Sequence, residues 1–552
     1  MHEISGLIQK VVKELFNVDV DVALTRPDEQ FGDYATNIAL QLSKQVGKNP
    51  REIAQAIADK LTHDTITQVE IAGPGFLNIT LSDSVLISGV THDLHAVRQY
   101  ASVLLEYSCP NTFKELHTGH LYNTIVGDAM GRILEATGTK VFRANFGGDV
   151  GLHVAKCLYG ILQELGGEHP EKLSAIPEAE RAQWISKTYV VGAKAYEEDE
   201  AAKGLITNFN TQIYAFHAEN DHQSPLAQIY WQCREWSYDY FKDFYEQIRV
   251  KPFDKYYPES TTTNPGLEVV RQNIGPIFSE SDGAVVYDEA KSGLHTRVFI
   301  TSKGLPTYET KDLGVIIAEV GDFTYDKRVL ITGNDQTEYM KVVFAAMKAI
   351  NPELGAKQMH FTNGTIRFGS GQKMSSRLGN VTRAVEVIEE IDTVVREQNP
   401  ETDHYATALA AIKYSFLKHR LGGDIAFDIH ESVSLEGNSG PYLQYAHARA
   451  RSILAKAPKP TAGLTDLEVG ERSLVRKLNE YQETVAKAAH DFVPHHICTY
   501  LYELAQTFNR FYEQNRVIDD PRQDQRLWLV NQYADILKDG LNLLGIEAPE
   551  RM

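Results

Sequence analysis

The hydrophobic pattern of the first 95 residues predicts a small α/β unit. Apolar residues recur at helical spacing from Ile4 to Phe16, which predicts an amphipathic surface helix and not a signal peptide. Asn49 can cap a second helix that begins at Pro50. The segment "TQVEIAGPGFLNITL" alternates between apolar and polar residues around a Gly-Pro-Gly break, so we expect two strands joined at a bend.

A strand, a helix and a second strand follow in direct succession. The strand "ASVLLEY" precedes a long loop, and Gly138 stands where the next helix should end, just before the strand "KVFRANF". This order connects parallel strands, so it predicts a parallel sheet of the nucleotide-binding type. The apolar face of the helix consists of Ile125, Val126, Ala129, Met130, Ile133 and Leu134.

The predicted secondary structure changes twice along the rest of the chain. Residues 155–250 are polar, aromatic and helical in pattern, and we interpret them as an insertion. Strand-like runs return at "GAVVYD", "TRVFITS", "KRVLITG" and "GTIRFG", and from about residue 404 the pattern is helical to the end, at bundle spacing. We therefore predict three domains, over 1–95, 96–400 and 401–552, of which the second holds the parallel sheet and the third is an all-α bundle.

Composition narrows the class of protein. The 552 residues are 43% hydrophobic, and no apolar run reaches the ~18 residues that span a bilayer, so we expect no membrane contact. The four cysteines lack paired spacing, which argues against a disulfide framework or a structural zinc site and fits a reducing cytoplasm. The net charge of −19 disfavours general nucleic-acid binding but leaves room for recognition by shape and base stacking.

The loop "EYSCPNTFKELHTGH" carries the strongest candidate chemistry. His117 and His120 bracket Gly119 at the start of a helix, with Lys114 one turn earlier. A helix N-terminus attracts phosphate, and we expect these side chains to add positive charge there. The loop has neither a dinucleotide-binding glycine pattern nor a Walker lysine. The alternative is that His117 only caps the helix and His120 only packs in the core.

A second candidate is the segment "GSGQKMSSRLGNVT", residues 369–382. It is rich in glycine, basic and hydroxyl residues and follows the strand-like run "GTIRFG". An ordinary surface loop has the same composition, so the segment alone leaves both interpretations open.

Together the two segments resemble the HIGH and KMSKS motifs of class I aminoacyl-tRNA synthetases, as "HTGH" and "KMSSR". Their surroundings resemble the arginyl family within that class. The similar segments are "FGDYATNIA", "AGPGFLN", "EYSCPNTFKELHTGH", "NFGGDVG", "LPTYETKDLG", "ITGNDQTEY", "EGNSGPYLQYAHARARSIL" and "LNLLGIEAPERM". The resemblance implies a tRNA-elbow-binding N-terminal domain, a Rossmann-type catalytic domain and a C-terminal anticodon-binding bundle.

The resemblance also implies a reaction and its partners. ATP and L-arginine would form arginyl-adenylate and pyrophosphate, and arginine would then pass to the 2′-hydroxyl of the terminal adenosine of tRNA(Arg). Mg²⁺ is expected with ATP, without protein residues assigned to a metal. The family pattern further implies a cytoplasmic monomer that needs bound tRNA for efficient activation.

Site residues follow from the same resemblance, position by position. His117, His120, Lys114 and Lys373 are the expected catalytic residues. ATP would contact His117, Gly119, His120, Lys373, Met374, Ser375 and Ser376. Arginine would contact Glu106, Cys109, Asn111, His117, Tyr308, Asp312 and Gln336. The tRNA would contact Phe76, Asn78, Tyr442, Tyr445, Arg449 and Tyr512. Without the resemblance, Glu106 could equally be a structural ion-pair partner, and the tyrosines could pack in a bundle core.

Two positions depart from the family pattern. Ser376 replaces the second lysine of KMSKS, and arginyl enzymes without it tend to carry a lysine just ahead of the histidine motif, where Lys114 stands. Cys109 replaces a serine beside the amino acid, and a thiol is the weaker hydrogen-bonding group.

The sequence leaves three alternative functions to consider. A cysteinyl enzyme would need a zinc-binding cysteine cluster, which the scattered cysteines do not supply. An inactive tRNA-binding paralogue is disfavoured by the intact histidines and Lys114. A small nucleotidyltransferase without tRNA is disfavoured by the tyrosine-rich C-terminal segment.

Overall fold

The computed structural model describes residues 2–288, 293–369, 382–398, 403–457 and 463–552. The N-terminal unit has a three-stranded antiparallel sheet of order β1-β3-β2, helices α2 and α3 pack on this sheet, and α1 packs on α3. The predicted bend is the turn between β2 and β3, and Asn49 caps the helix that begins at Pro50. The elements are α1 (His2–Phe16), β1 (Tyr34–Thr36), α2 (Ile38–Val46), α3 (Pro50–Lys60), β2 (Ile66–Ala72), β3 (Phe76–Leu81) and α4 (Asp83–Ser88).

The centre of the molecule is a five-stranded parallel sheet of order β11-β10-β4-β5-β6. This confirms the predicted fold class. Its strands and connecting elements are β4 (Ser102–Glu106), α5 (Thr118–Ala136), β5 (Lys140–Gly147), α6 (Leu152–Leu165), α7 (Arg181–Glu198), α8 (Glu200–Glu219), α9 (Pro225–Gln247), β6 (Lys255–Pro258), α10 (Glu259–Gln272), β7 (Ser279–Ser281), β8 (Ala284–Tyr287), β9 (Arg297–Ile300), α11 (Tyr308–Asp322), β10 (Lys327–Gly333), α12 (Thr337–Ile350), α13 (Pro352–Ala356) and β11 (Gln358–Asn363).

Two features of this part differ from a simple alternation of parallel strands and single helices. The runs "GAVVYD" and "TRVFITS" form β8 and β9 of a separate antiparallel sheet with β7 and do not join the parallel sheet. Helices α6 to α9 lie between β5 and β6, so they form the crossover that joins these two parallel neighbours.

The C-terminal part is helical with one exception. The expectation of uninterrupted helix from residue 404 is wrong at "IAF". These three residues form the strand β13, in which burial alternates along the chain, and they pair in parallel with β12. The elements are β12 (Ile366–Phe368), α14 (Ala384–Gln398), α15 (His404–Leu417), β13 (Ile425–Phe427), α16 (Ile429–Ser432), α17 (Gly440–Ala455), α18 (Val469–Leu478), α19 (Glu480–Asp491), α20 (His495–Gln514) and α21 (Gln523–Leu543).

Helix α5 connects the sheet to the C-terminal bundle. It packs on β4, β5 and β10 and also contacts α14, α15, α19 and α21. Its apolar side chains are buried on both sides, so they belong to one continuous core with the bundle. None of the described helices is long and apolar enough to cross a bilayer.

The N-terminal unit is attached to the bundle by charged contacts. Arg26 donates to both carboxylate oxygens of Glu483 at 2.9 Å, and Tyr34 donates to the same carboxylate at 2.7 Å. Arg472 of α18 donates to Asp33 at 2.7 Å. A bidentate arginine pair such as Arg26–Glu483 fixes orientation as well as proximity, so the N-terminal unit and the bundle are held in a defined arrangement.

Helices α10 and α11 pack at glycine contacts. A Cβ added at Gly314 would lie 2.0 Å from the carbonyl oxygen of Thr262, and one added at Gly266 would lie 2.0 Å from that of Thr310. Only glycine permits this separation of the two helices. The contact sets the position of the first turn of α11, at the edge of the cavity described below.

We expect Gly314→Ala to destabilise the protein by ~1–3 kcal/mol, because the added methyl group forces the two helices apart. The measurement is the midpoint of urea unfolding. Gly321→Ala is the matched control on the same helix, since no atom lies within 4 Å of its added Cβ. The control should be neutral or stabilising by ~0.5–1 kcal/mol. Equal midpoints for the two variants would contradict the packing argument.

Candidate active site

A cavity of 690 Å³ lies at the carboxyl ends of β4, β5 and β10. The N-terminus of α5 forms one wall and the first turn of α11 forms another. Ligands of parallel α/β sheets bind at this edge, where strand ends and helix N-termini meet. The cavity is therefore the candidate site.

The loop between β4 and α5 follows an unusual path around this cavity. Ser108, Cys109 and Phe113 have φ values of 69°, 49° and 63°, in a region that residues other than glycine rarely adopt. Backbone strain of this kind persists only where the surroundings hold it in place, and it concentrates at functional sites.

The loop is held by a glycine pair on one side. A Cβ at Gly147 would lie 2.3 Å from the carbonyl oxygen of Pro110, and one at Gly148 would lie 2.3 Å from Oδ1 of Asn111. Thr112 also donates its backbone N–H to the carbonyl oxygen of Gly148 at 2.9 Å. The "GG" of "NFGGDVG" thus lets the loop lie directly on the end of β5.

The insertion helices hold the loop on the other side. Phe113 N–H donates to the hydroxyl of Ser237 at 3.0 Å, and Glu115 N–H donates to that of Ser186 at 2.7 Å. These donors would otherwise lie buried without partners, which costs about 1–3 kcal/mol each. Helices α7 and α9 therefore support the loop that carries the histidines.

His117 and His120 are linked to each other at the helix N-terminus. His117 caps α5, as its Nδ1 accepts from Gly119 N–H at 3.0 Å. His120 Nδ1 accepts from His117 N–H at 3.2 Å, and the two ring centroids are 3.8 Å apart. Because both Nδ1 atoms accept, each neutral ring carries its proton on Nε2, where it can donate to a ligand.

The expectation of positive charge on these histidines is wrong, because their surroundings lower the pKa of both rings. Burial lowers the pKa of His117 and lowers that of His120 well below its usual value, and the nearby Lys114 ammonium acts in the same direction. Both rings are neutral near pH 7. They can serve a phosphate as hydrogen-bond donors, and capping and ligand binding are compatible because they use different ring nitrogens.

Lys114 lies behind the histidines. Its Nζ is 4.0 Å from the centroid of the Tyr189 ring on α7. Its side chain is not part of the cavity wall, so its charge reaches the site through space.

Glu106 lies on the cavity floor as part of a buried ionic group. Arg328 of β10 donates to Oε2 of Glu106 and also to Glu319 of α11, and all three side chains are at most 1% exposed. Burial raises the pKa of Glu319 well above its usual value. Glu106 thus has a structural ion-pair partner, and it also faces the cavity.

Asp312 is the second carboxylate of the floor. Tyr339 of α12 donates its hydroxyl to Oδ2 of Asp312. Burial raises the pKa of Asp312 to about 7, and the Tyr339 hydrogen bond partly opposes the increase. Two further wall carboxylates are paired with cations, Glu259 with Lys311 at 3.0 Å and Glu309 with Arg297 at 3.5 Å.

The structure brings most of the predicted site residues together. The cavity is lined by Glu106, Cys109, Asn111, His117, Gly119, His120, Tyr308, Asp312 and Gln336. Lys373, Met374, Ser375 and Ser376 lie outside the described residues. The sequence interpretation missed four further wall residues, Glu259, Arg297, Glu309 and Tyr339. The acidic and aromatic content of "TYETKD" and "NDQTEY" hinted at Glu309 and Tyr339, and no sequence signal indicated the other two.

The predicted RNA contacts form two surfaces. Phe76 and Asn78 lie two apart on β3, with Phe76 39% exposed and Asn78 7% exposed. On the bundle, Tyr445 of α17 is exposed and Arg449 lies 5.0 Å from the Tyr512 ring of α20.

Tyr442 is partly buried within the bundle. Its hydroxyl accepts from Asn509 at 3.0 Å, and its ring is 5.9 Å from that of Tyr502. Of the three α17 residues, Tyr445 and Arg449 thus offer more surface to a partner than Tyr442 does.

Comparison with known proteins gives a consistent result along the chain. Residues 2–81 match the family model described as arginyl tRNA synthetase N terminal domain. Residues 82–429, more than half of the chain, match that of tRNA synthetases class I (R), catalytic domain. Residues 443–552 match the DALR anticodon binding domain.

Individual relatives are similar over nearly their whole length. An arginine–tRNA ligase of Bacteroides fragilis strain YCH46 is 29% identical, covering 100% of this chain and 98% of the relative. One of Thermobifida fusca strain YX is 31% identical, covering 95% and 94%. The structure of Thermus thermophilus arginyl-tRNA synthetase superimposes with a TM-score of 0.83 at 26% identity, covering 100% of both chains. The resemblance seen in the motifs is thereby confirmed, and the chain belongs to the arginyl-tRNA synthetase family of class I aminoacyl-tRNA synthetases.

Proposed function

We propose that this protein is an arginine–tRNA ligase, which activates L-arginine with ATP and transfers it to tRNA(Arg). The observation that carries the proposal is the division of one cavity into two ends. Carboxylates line the floor at the ends of β4 and α11, while two neutral histidine donors and a helix N-terminus form the opposite wall. A cationic side chain fits the first end, and a phosphate chain fits the second.

In the first step the arginine carboxylate attacks the α-phosphate and pyrophosphate leaves. Catalysis of phosphoryl-type transfers depends on positioning and charge stabilisation. His117 and His120 would donate from Nε2 to phosphate oxygens, and Gly119 would let the nucleotide approach the backbone. The ammonium of Lys114 would add positive potential from behind the rings.

The amino acid would be held by its two ends. Glu106 and Asp312 would accept from the guanidinium, and Asn111, Cys109 and Gln336 would contact the rest of the substrate. Tyr308, which is 61% exposed at the cavity mouth, would cover the bound arginine. The planar guanidinium requires acceptors in fixed places, which the buried partners of both carboxylates provide.

By analogy with the family, Lys373, Met374, Ser375 and Ser376 would contact ATP, and Lys373 and Ser375 would contact the leaving pyrophosphate. Mg²⁺ would arrive with ATP. No group of three or more metal-ligating side chains is found among the described residues, and Mg²⁺ commonly relies on substrate phosphates and water.

The second step transfers arginine to the 2′-hydroxyl of the terminal adenosine. Phe76 and Asn78 would contact the tRNA elbow, and Tyr442, Tyr445, Arg449 and Tyr512 would contact the anticodon by stacking and charge. We further propose domains over 1–95, 96–400 and 401–552, a cytoplasmic location and a monomeric state, all by analogy with the family.

The test of the proposed function is ATP–pyrophosphate exchange with each amino acid, with and without tRNA. Of the amino acids, we expect only arginine to support exchange. The exchange with arginine should be much faster when tRNA is present. Exchange with another amino acid would overturn the specificity, and absence of exchange under all conditions would favour a protein that only binds tRNA.

The pKa of Asp312 predicts a pH dependence. Asp312 is largely protonated below pH 7 and ionised above it, and the guanidinium requires the ionised form. The kcat/KM for arginine should therefore rise roughly tenfold per pH unit below pH 7 and level off above it. Burial lowers the pKa of both His117 and His120, so their protonation lies on the acid side of the Asp312 titration.

The profile is measured between pH 6 and pH 8 with tRNA present, and Asp312→Asn supplies the comparison. This variant should show weak arginine binding and no inflection near pH 7. An inflection that persists in Asp312→Asn would assign the titration to another group.

Replacement of Lys114 tests whether this lysine compensates for the KMSKS lysine that Ser376 replaces. Lys114→Ala should lower the exchange rate on the order of 10²-fold, since a preorganised charge near the reacting phosphate is lost. Binding of tRNA should be unchanged, and Lys114→Arg should restore part of the rate. The matched control is Lys156→Ala, because Lys156 also lies over an insertion tyrosine, 4.2 Å from the Tyr196 ring, but away from the cavity. Normal exchange in Lys114→Ala would refute the compensation.

A further inference from the structure

Glu106 and Asp312, the two carboxylates of the cavity floor, are held by hydrogen bonds in the same way. Each has one oxygen engaged by a buried donor from a neighbouring element, Arg328 for Glu106 and Tyr339 for Asp312. We propose that Arg328 and Tyr339 are positioning residues for arginine recognition, each holding one oxygen of a floor carboxylate and leaving the other oxygen to the substrate guanidinium. The proposal rests on the proposed function and assigns residues that act without touching the substrate.

On the Glu106 side, the free oxygen is Oε1. Its partner among the described residues is the Cys109 thiol, with Sγ 3.8 Å away. A thiol is a weak donor, so a guanidinium N–H can replace it at little cost. Arg328 cannot leave Oε2, because its own guanidinium is locked between Glu106, Glu319 and Gln358.

On the Asp312 side, the free oxygen is Oδ1, to which no hydrogen bond is found within the described part of the chain. Tyr339 holds Oδ2 from α12, and its ring lies 5.8 Å from the guanidinium carbon of Arg297. Burial raises the pKa of Tyr339 well above its usual value, so its hydroxyl remains a donor.

The charges of the floor support the same assignment. Glu106 forms a buried ion pair with Arg328, and burial raises the pKa of Glu319 well above its usual value, which favours the neutral form of that carboxyl. The neighbouring Glu259 and Glu309 are paired with cations. Asp312 has no cationic partner among the described residues, so one unbalanced negative charge awaits one guanidinium. Two rigid single acceptors suit the fixed fork of that group.

The groups that face Asp312 come from four elements. Tyr339 of α12 donates to it, Glu106 of β4 and Glu259 of α10 repel its charge, and Arg328 of β10 attracts it. Loss of the Tyr339 hydroxyl alone removes a donor that favours the ionised carboxylate and leaves the other three groups in place.

Tyr339→Phe is the test, measured by tRNA-dependent exchange at pH 6–9. The phenyl ring keeps the packing beside Arg297. We expect the KM for arginine to rise about tenfold at pH 7 with little change in kcat, and the inflection in kcat/KM to move about one pH unit higher. The KM for ATP should not change. In the Asp312→Asn background, Tyr339→Phe should have no further effect on the profile.

Tyr257→Phe is the matched control. Tyr257 belongs to the same hydrophobic cluster as Tyr339 and donates to a carboxylate, Asp322, at 2.9 Å, but that carboxylate lies outside the cavity. Its KM for arginine and its pH profile should equal those of the unaltered protein.

Arg328→Lys provides an independent arm, because a lysine ammonium is a point charge that cannot hold Glu106 and Glu319 in the same geometry. It should raise the KM for arginine and leave the inflection of Asp312 near pH 7. An unchanged KM for arginine and an unmoved inflection in Tyr339→Phe would overturn the proposal, as would an unchanged KM in Arg328→Lys. Failure of the proposed function is a different result, since the unaltered protein would then show no exchange with arginine.

Discussion

The buried guanidinium of Arg328 is the interaction on which the cavity floor depends. It connects β10, on which it lies, to Glu106 at the end of β4 and to Glu319 on α11. A buried charge left without its partner costs about 3–5 kcal/mol, so this group constrains both strands and the helix at once. The same constraint fixes one oxygen of Glu106, and in the proposed function this structural ion pair orients the carboxylate toward the substrate guanidinium.

The insertion has a comparable structural role at the other wall. Hydroxyls of α7 and α9 accept backbone N–H groups of the strained loop, and Tyr189 holds the Lys114 side chain. The loop can therefore keep its unfavourable φ values while presenting two neutral histidines. The segment that the sequence marked only as an insertion thus supports the wall that carries the two histidines.

The C-terminal bundle and the sheet are joined through α5. The N-terminus of this helix carries the two histidines, and its length packs against α14, α15, α19 and α21. The N-terminal unit is fixed to the same bundle by Arg26 and Arg472. The two surfaces proposed for tRNA are therefore held in a defined relation to the cavity by one continuous core and by these ion pairs.

Periodicity and local chemistry in the sequence determined the parallel-sheet fold, the bend between β2 and β3 and the helix that His117 caps. These features depend on neighbours in the chain, whose spacing and capping can be read directly. The sequence did not reveal β13, the separate sheet of β7 to β9, or the partners of Glu106 and Asp312. Arg328 and Tyr339 are 222 and 27 residues away from the carboxylates they hold. Tertiary packing alone decides such contacts, and by excluding water it also makes the histidines neutral and raises the pKa of Asp312 to about 7.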